Sequence, residues 1–141
     1  MDYESLVMEA CALLSETDCR FFVGGFGQRD WRLDVAYDLS AVLEQLPSLL
    51  VGLRTGTEAE LDLYSQGVER TLKFTRIGQD VVIRCRSQTS WAPNPETEVM
   101  SSHDLESMFV RLANDFATSL ELVNPCISSL PPFRDWRLGK A

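Results

Sequence analysis

Apolar side chains fall at Tyr3, Leu6, Val7, Ala10, Leu13 and Leu14, three and four residues apart, with Glu4, Glu9 and Glu16 on the other side. That spacing predicts an amphipathic helix, broken at Thr17 and Asp18. Phe21-Phe22-Val23 is a short apolar run closed by Gly24-Gly25, and Trp31, Leu33, Val35 and Tyr37 alternate with Arg32, Asp34 and Ala36. A period of two predicts a half-buried strand. Two strands are therefore expected here, joined by a turn between Gly25 and Asp30.

The period then returns to that of a helix. Val42, Leu43, Leu46, Leu49, Leu50 and Leu53 form one stripe, with Asp38 or Ser40 as the cap and Gly56 as the end signal. Pro47 lies inside, so a kink or a split into two short helices is expected. Three strands follow, marked by Leu61 and Leu63, by Leu72 and Phe74, and by Val81 to Arg86, with turns at Ser65-Gln66-Gly67 and Ile77-Gly78-Gln79-Asp80. Residues 88–101 lack a period and read as a loop. A last helix is expected over residues 102–123, with Leu105, Met108, Phe109, Leu112, Phe116 and Leu120 on one face. The prolines at 125, 131 and 132 predict an extended or irregular tail.

The expected fold class is thus α+β, in the order α-β-β-α-β-β-β-α. Hairpins make the sheet antiparallel, of about five strands, with helices mainly on one face and the other face partly open. Residues 1–123 form one domain and residues 124–141 its tail.

The chain has 141 residues, 21 acidic against 13 basic, for a formal charge of −8. Such a field repels phosphate and favours basic partners. No apolar run approaches a membrane span, and the acidic start Met1-Asp2-Tyr3-Glu4 is unlike a signal peptide, so a cytoplasmic location is expected. Cys11, Cys19, Cys85 and Cys126 show no C-x-x-C spacing. They read as buried or partly buried thiols, and neither a metal nor a cofactor is expected.

Candidate chemistry is sparse. The single histidine, His103, has no partner visible in the sequence that would make it a general base. Gly24-Gly25-Phe26-Gly27 lacks the order of a phosphate loop and reads as a bulge or turn. The carboxylate pairs, Asp34 with Asp38 and Glu58 with Glu60 and Asp62, read as solvated faces, because nothing nearby desolvates them. Arg70, Lys73, Arg76, Arg84 and Arg86 cluster in one hairpin near Trp91. That cluster suggests either cross-strand pairing with Glu60 and Asp62 or a weak face for single-stranded nucleic acid. The net charge favours the first. Arg29-Asp30-Trp31-Arg32-Leu33 recurs as Arg134-Asp135-Trp136-Arg137-Leu138, which reads as two unrelated tryptophan anchors rather than a repeat.

A small, acidic α+β chain without catalytic motifs, carrying Phe22-Val23-Gly24-Gly25-Phe26-Gly27 and Tyr64-Ser65-Gln66-Gly67-Val68-Glu69-Arg70, resembles in type the bacterial immunity proteins of contact-dependent inhibition and related secretion systems. The resemblance implies a protein that binds one cognate toxin and blocks its active site, and it transfers no individual residue. The first and last helices also look similar to those of type III secretion chaperones. That class places three strands before its central helix, where two are expected here.

The expected function is therefore a non-enzymatic, protein-binding inhibitor of a basic toxin domain. The contacts are expected at Glu58, Glu60, Asp62, Tyr64 and Trp91, with acids steering association and an aromatic anchor buried. A secretion chaperone is the alternative, and a single-strand nucleic-acid binder comes third.

Overall fold

A computed structural model describes residues 2–141. Helix α1, Tyr3–Ser15, is capped by Asp2, whose side chain accepts from the Ser5 amide. It buries Val7, Ala10 and Leu14 of the expected stripe together with Cys11, and leaves Tyr3, Leu6 and Leu13 half-buried. Helix α2 spans Ser40–Thr55 without interruption, with Pro47 on its exposed side. Gly56, at φ 73°, closes it in the left-handed conformation that glycine adopts without a steric penalty. The expected split at Pro47 does not occur. Four strands follow: β1 (Ala59–Leu63), β2 (Arg70–Ile77), β3 (Asp80–Ser87) and β4 (Thr97–Ser101). They form one antiparallel sheet in the order β1-β2-β3-β4. Helix α3, Ser102–Val123, then packs back on the core.

The α+β class holds, but the strand order is corrected at two places. Residues 21–23 and 31–37 are not strands. Phe26 and Gly27, at φ 57° and 89°, make a tight turn closed by two hydrogen bonds between Gly25 and Gln28 (2.8 and 3.1 Å). Beyond it Arg32, at φ 56°, interrupts any extended run. Asp34 then accepts from the Tyr37 and Asp38 amides and starts a π-helical turn, Val35–Leu39. Local capping by Asp34 thus outcompetes the alternating pattern. The second correction is β4, expected as loop. Its inward positions are Glu98 and Met100, opposite Ile83 and Val81. Glu98 earns its inward place by accepting from the Phe26 amide at 2.9 Å, so the strand carries a polar residue where an apolar one would have marked it.

The helices cover one face of the sheet, where Leu61, Leu63, Leu72, Phe74, Val81, Ile83 and Cys85 are buried with Leu105, Phe109 and Phe116. The other face carries Glu60, Asp62, Lys73, Arg84 and Arg86 and is open. The tail differs most from expectation. It forms helices α4 (Pro125–Ser128) and α5 (Phe133–Arg137). Phe133 and Trp136 pack edge-on against Phe116 at 5.5 and 6.1 Å. The two tryptophans of the sequence echo are both buried. Trp31 sits in irregular chain and Trp136 in a helix, so the echo is not a structural repeat.

All four cysteines are free; Cys11 and Cys85 are buried, Cys19 partly so. Cys126 is exposed, against expectation, because α4 lies on the outside of the fold. Burial pushes the Cys11 thiol up to about 12. It pushes Cys85 up to about 11 despite the pull of Arg70, and it raises the Tyr3 phenol as well. Unfolded thiols ionise near pH ~8.5, whereas these keep their protons in the fold. Stability is therefore complete below that pH and is lost as pH rises toward the folded values. Each such proton contributes a slope of up to ~1.4 kcal/mol per pH unit. Denaturant titrations at several pH values above 8 are expected to show this loss, flattened in Cys11→Ala. An unchanged unfolding free energy would contradict it.

Candidate functional site

Because Asp34 caps the π-helical turn, that turn carries Tyr37 and Asp38 along one wall of a cleft of about 900 Å³. Met8 and Ala12 of α1, Ser40 and Glu44 of α2, and Tyr64 to Gln66 with Val68 of the β1–β2 connection complete its lining. A π-helical turn often marks a functional site, since the extra residue shifts side chains out of helical register. Here it leaves Tyr37 69% exposed, in a lining it shares with Tyr64 at 53%.

The cleft is acidic. Asp34 Oδ1 accepts from the Tyr37 and Asp38 amides at 2.8 and 2.9 Å, and Asp38 Oδ2 accepts from the Asp34 amide at 2.9 Å. Asp38 is only 4% exposed, and its Oδ1 has no partner among the described residues. The sequence reading of Asp34 and Asp38 as a solvated pair is thus corrected for Asp38, which the reciprocal capping draws inside. The Tyr64 hydroxyl, from the β1–β2 connection, donates to Glu44 Oε2 of α2 at 3.0 Å. Partial burial, that hydrogen bond, and the charges of Glu44, Glu4 and Asp62 all raise the Tyr64 pKa. Among the described residues, Asp34, Asp38 and Glu44 make no salt bridge.

Glu58, Glu60 and Asp62 lie along edge strand β1 and its approach, all exposed. Glu60 faces Lys73 in register, Lys73 pairs with Glu58 at 3.6 Å, and Asp62 accepts from the Thr71 hydroxyl at 3.3 Å. The basic hairpin is therefore paired in part, with Arg84 on Glu96 at 2.7 Å, and these exposed pairs contribute little to stability. The carboxamide of Gln45 bonds both the amide and the carbonyl of Asp62 at 2.8 Å. That fork occupies backbone groups an edge strand would otherwise offer to another chain. It also ties the acidic end of β1 to α2, one residue from Glu44. Tyr64 thus joins the acids of β1 to those of the cleft.

Trp91 does not belong to this surface. It lies over the Arg70 guanidinium at 3.6 Å, with Trp31 at 4.6 Å from the same group. The two indoles meet edge to face at 5.8 Å. Arg70 is buried at the end of β2 on the helix-facing side, and its Nε and Nη1 have no hydrogen-bond partner among the described residues. The rings supply the attraction that a counter-ion otherwise would, while burial lowers the Arg70 pKa. Arg70 and Trp91 therefore hold the Gly24–Trp31 segment on the sheet and are turned away from the outward cations Lys73, Arg84 and Arg86. His103 is exposed at the start of α3, in a recess of about 390 Å³ with Glu106, Ser107 and Arg111. No three His, Cys, Asp or Glu residues cluster as metal ligands among the described residues. Among the described residues no helix is long and apolar enough to cross a membrane.

The chain matches no protein-family model, no curated protein and no solved structure.

Proposed function

We propose that the protein is a binding inhibitor of a basic protein partner, most concretely an immunity protein that occludes the active site of a cognate toxin domain. One observation carries the reading. A cleft of about 900 Å³ joins three carboxylates, without salt bridges among the described residues, to two exposed tyrosines, and the acidic edge strand β1 leads into Tyr64. Tyrosine gives contact area at low entropic cost, and an acidic rim speeds encounter with a basic surface. Glu60, Asp62 and Tyr64 fall on this surface with Asp34, Tyr37 and Glu44, and Glu58 extends it along β1. The secretion-chaperone reading is less well supported, because among the described residues no strand precedes α2, a wider departure from that class than the sequence suggests.

Co-expression tests the function. A basic, growth-arresting protein encoded directly beside this one is expected to become harmless when this chain is supplied, and the two are expected to co-purify. Continued arrest, with this chain folded and in excess, would contradict the proposal.

A further inference from the structure

We infer that the free edge of β4 is a self-association surface, on which a second copy of this chain lays its own β4 antiparallel and extends the sheet. Two hydrogen bonds fix the phase of β4 against β3: the Cys85 amide donates to the Glu96 carbonyl at 2.9 Å, and the Ser102 amide donates to the Gln79 carbonyl at 2.8 Å. Backbone groups that face a given neighbour alternate along an antiparallel strand, so Glu98 and Met100 also turn theirs toward β3. Those of Thr97 and Val99 turn away from the sheet, and no hydrogen bond reaches them among the described residues.

The two edges of the sheet differ. At β1 the Gln45 carboxamide holds the outward groups of Asp62, and self-pairing there would set Glu60 or Asp62 against acids of the other copy, which is unfavourable. β4 has no such plug, and Thr97, Val99 and Ser101, the side chains on its open face, are uncharged. A two-fold axis at Val99 sets Val99 opposite Val99 of the second copy, Thr97 opposite Ser101 and Glu98 opposite Met100. No like charges then stand opposite each other. Val99 is 61% exposed and lies beside Val82 of β3. The joined sheet therefore aligns two valines from each copy in one apolar row, shielded from water. Arg84, beside that row, is already paired with Glu96 at 2.7 Å, so the edge offers nothing to a charged partner. A second copy supplies a strand of matching length, polarity and register. Five paired residues span only ~17 Å, so the dimer is of the small, weak class. Each copy carries −8, so added salt screens their repulsion and tightens the dimer. The inference does not depend on the toxin-binding reading.

The test is sedimentation velocity of the full chain alone, from ~5 to ~500 µM and at ~0.05 and ~0.5 M salt, with amide hydrogen exchange at both ends of the concentration range. A monomer–dimer equilibrium is expected, with a dissociation constant on the order of 100 µM that falls as salt rises. Exchange at Thr97 and Val99 is expected to slow with concentration, while exchange at Asp62 stays unchanged. Val99→Lys sets two cations against each other on the axis and is expected to weaken the dimer about tenfold. Thr97→Pro removes an outward donor at the first residue of an edge strand, where proline is tolerated, and is expected to have a similar effect. Should the proline variant fail to fold, Val99→Lys, at an exposed side chain, still decides. A chain that stays monomeric up to ~500 µM would overturn the inference. So would a dimer that ignores both substitutions, which forms through another face, or one that loosens with added salt, which is held by charge pairs. Protection of Thr97 and Val99 only on addition of a different protein would assign the edge to a strand of that protein instead of a second copy.

Discussion

Trp136→Ala is expected to destabilise the protein by about 3–5 kcal/mol, the usual cost of removing a buried tryptophan side chain. Trp136 is 4% exposed and meets Tyr3, Phe116 and Phe133 at ring distances of 6.4, 6.1 and 5.3 Å. It therefore bridges the first helix, the last long helix and the tail. The carbonyls of Trp136 and Arg137 also accept from the Asn114 side chain at 3.0 Å, and Arg137 pairs with Glu121 at 2.9 Å. Deleting the indole removes its dispersion contacts and leaves a cavity that α5 cannot fill from one turn of helix. The total stability of a typical domain is ~5–15 kcal/mol, so the loss is severe. Thermal and urea unfolding followed by circular dichroism measure it. A change below about 1 kcal/mol would show that the tail is not part of the core.

The second large effect concerns binding. Glu44→Lys with Asp62→Lys places two cations on the acidic surface, either side of Tyr64. Both residues are at least partly exposed, and their side-chain bonds, Glu44 to Tyr64 and Asp62 to Thr71, are to neutral hydroxyls. The fold should therefore lose no more than about 1 kcal/mol per site. A basic partner would meet like charge instead of opposite charge, at a cost of several kcal/mol. Affinity for the proposed basic partner is expected to fall at least 100-fold, about 2.7 kcal/mol. The Arg111→Glu change, at an exposed position of α3 outside both the cleft lining and β1, is the control, and it should leave binding within about threefold.

The helices were legible because their apolar stripes are long; the residues of α3 follow a single face from Leu105 to Leu120. β1, β2 and β3 were legible because the alternation is clean and the β2–β3 turn is short, with Ile77 facing Asp80. Alternation misled at residues 31–37, where the same pattern serves a capped π-helical turn. Whether Asp34 ends a strand or caps a turn depends on which amides lie within reach, and that is a three-dimensional fact. β4 was hidden by Glu98, which is inward for the sake of the Phe26 amide. The tail was misread because prolines mark helix starts as well as breaks: Pro125 begins α4 after Asn124 caps it through the Ile127 amide. In the candidate site, the exposed acids of β1 and Tyr64 could be read from strand parity. The burial of Asp38 could not, nor could the pairing of Trp91 with Arg70, since each depends on segments distant in sequence. One cue was available: two aspartates four apart, Asp34 and Asp38, at the entry to an apolar helix suit reciprocal capping as well as a solvated face.

The central claim is that a basic protein binds this acidic cleft and edge. Calorimetric titration of the wild-type chain with a candidate basic partner, such as a basic protein encoded beside it, tests this most directly, run at ~0.05 M and ~0.5 M salt, where the screening length falls from beyond 10 Å to about 4 Å. The account predicts a 1:1 complex whose affinity falls at least tenfold between the two conditions and is nearly abolished, at low salt, by Glu44→Lys with Asp62→Lys. The absence of a complex, or an affinity indifferent both to salt and to that double substitution, would contradict it.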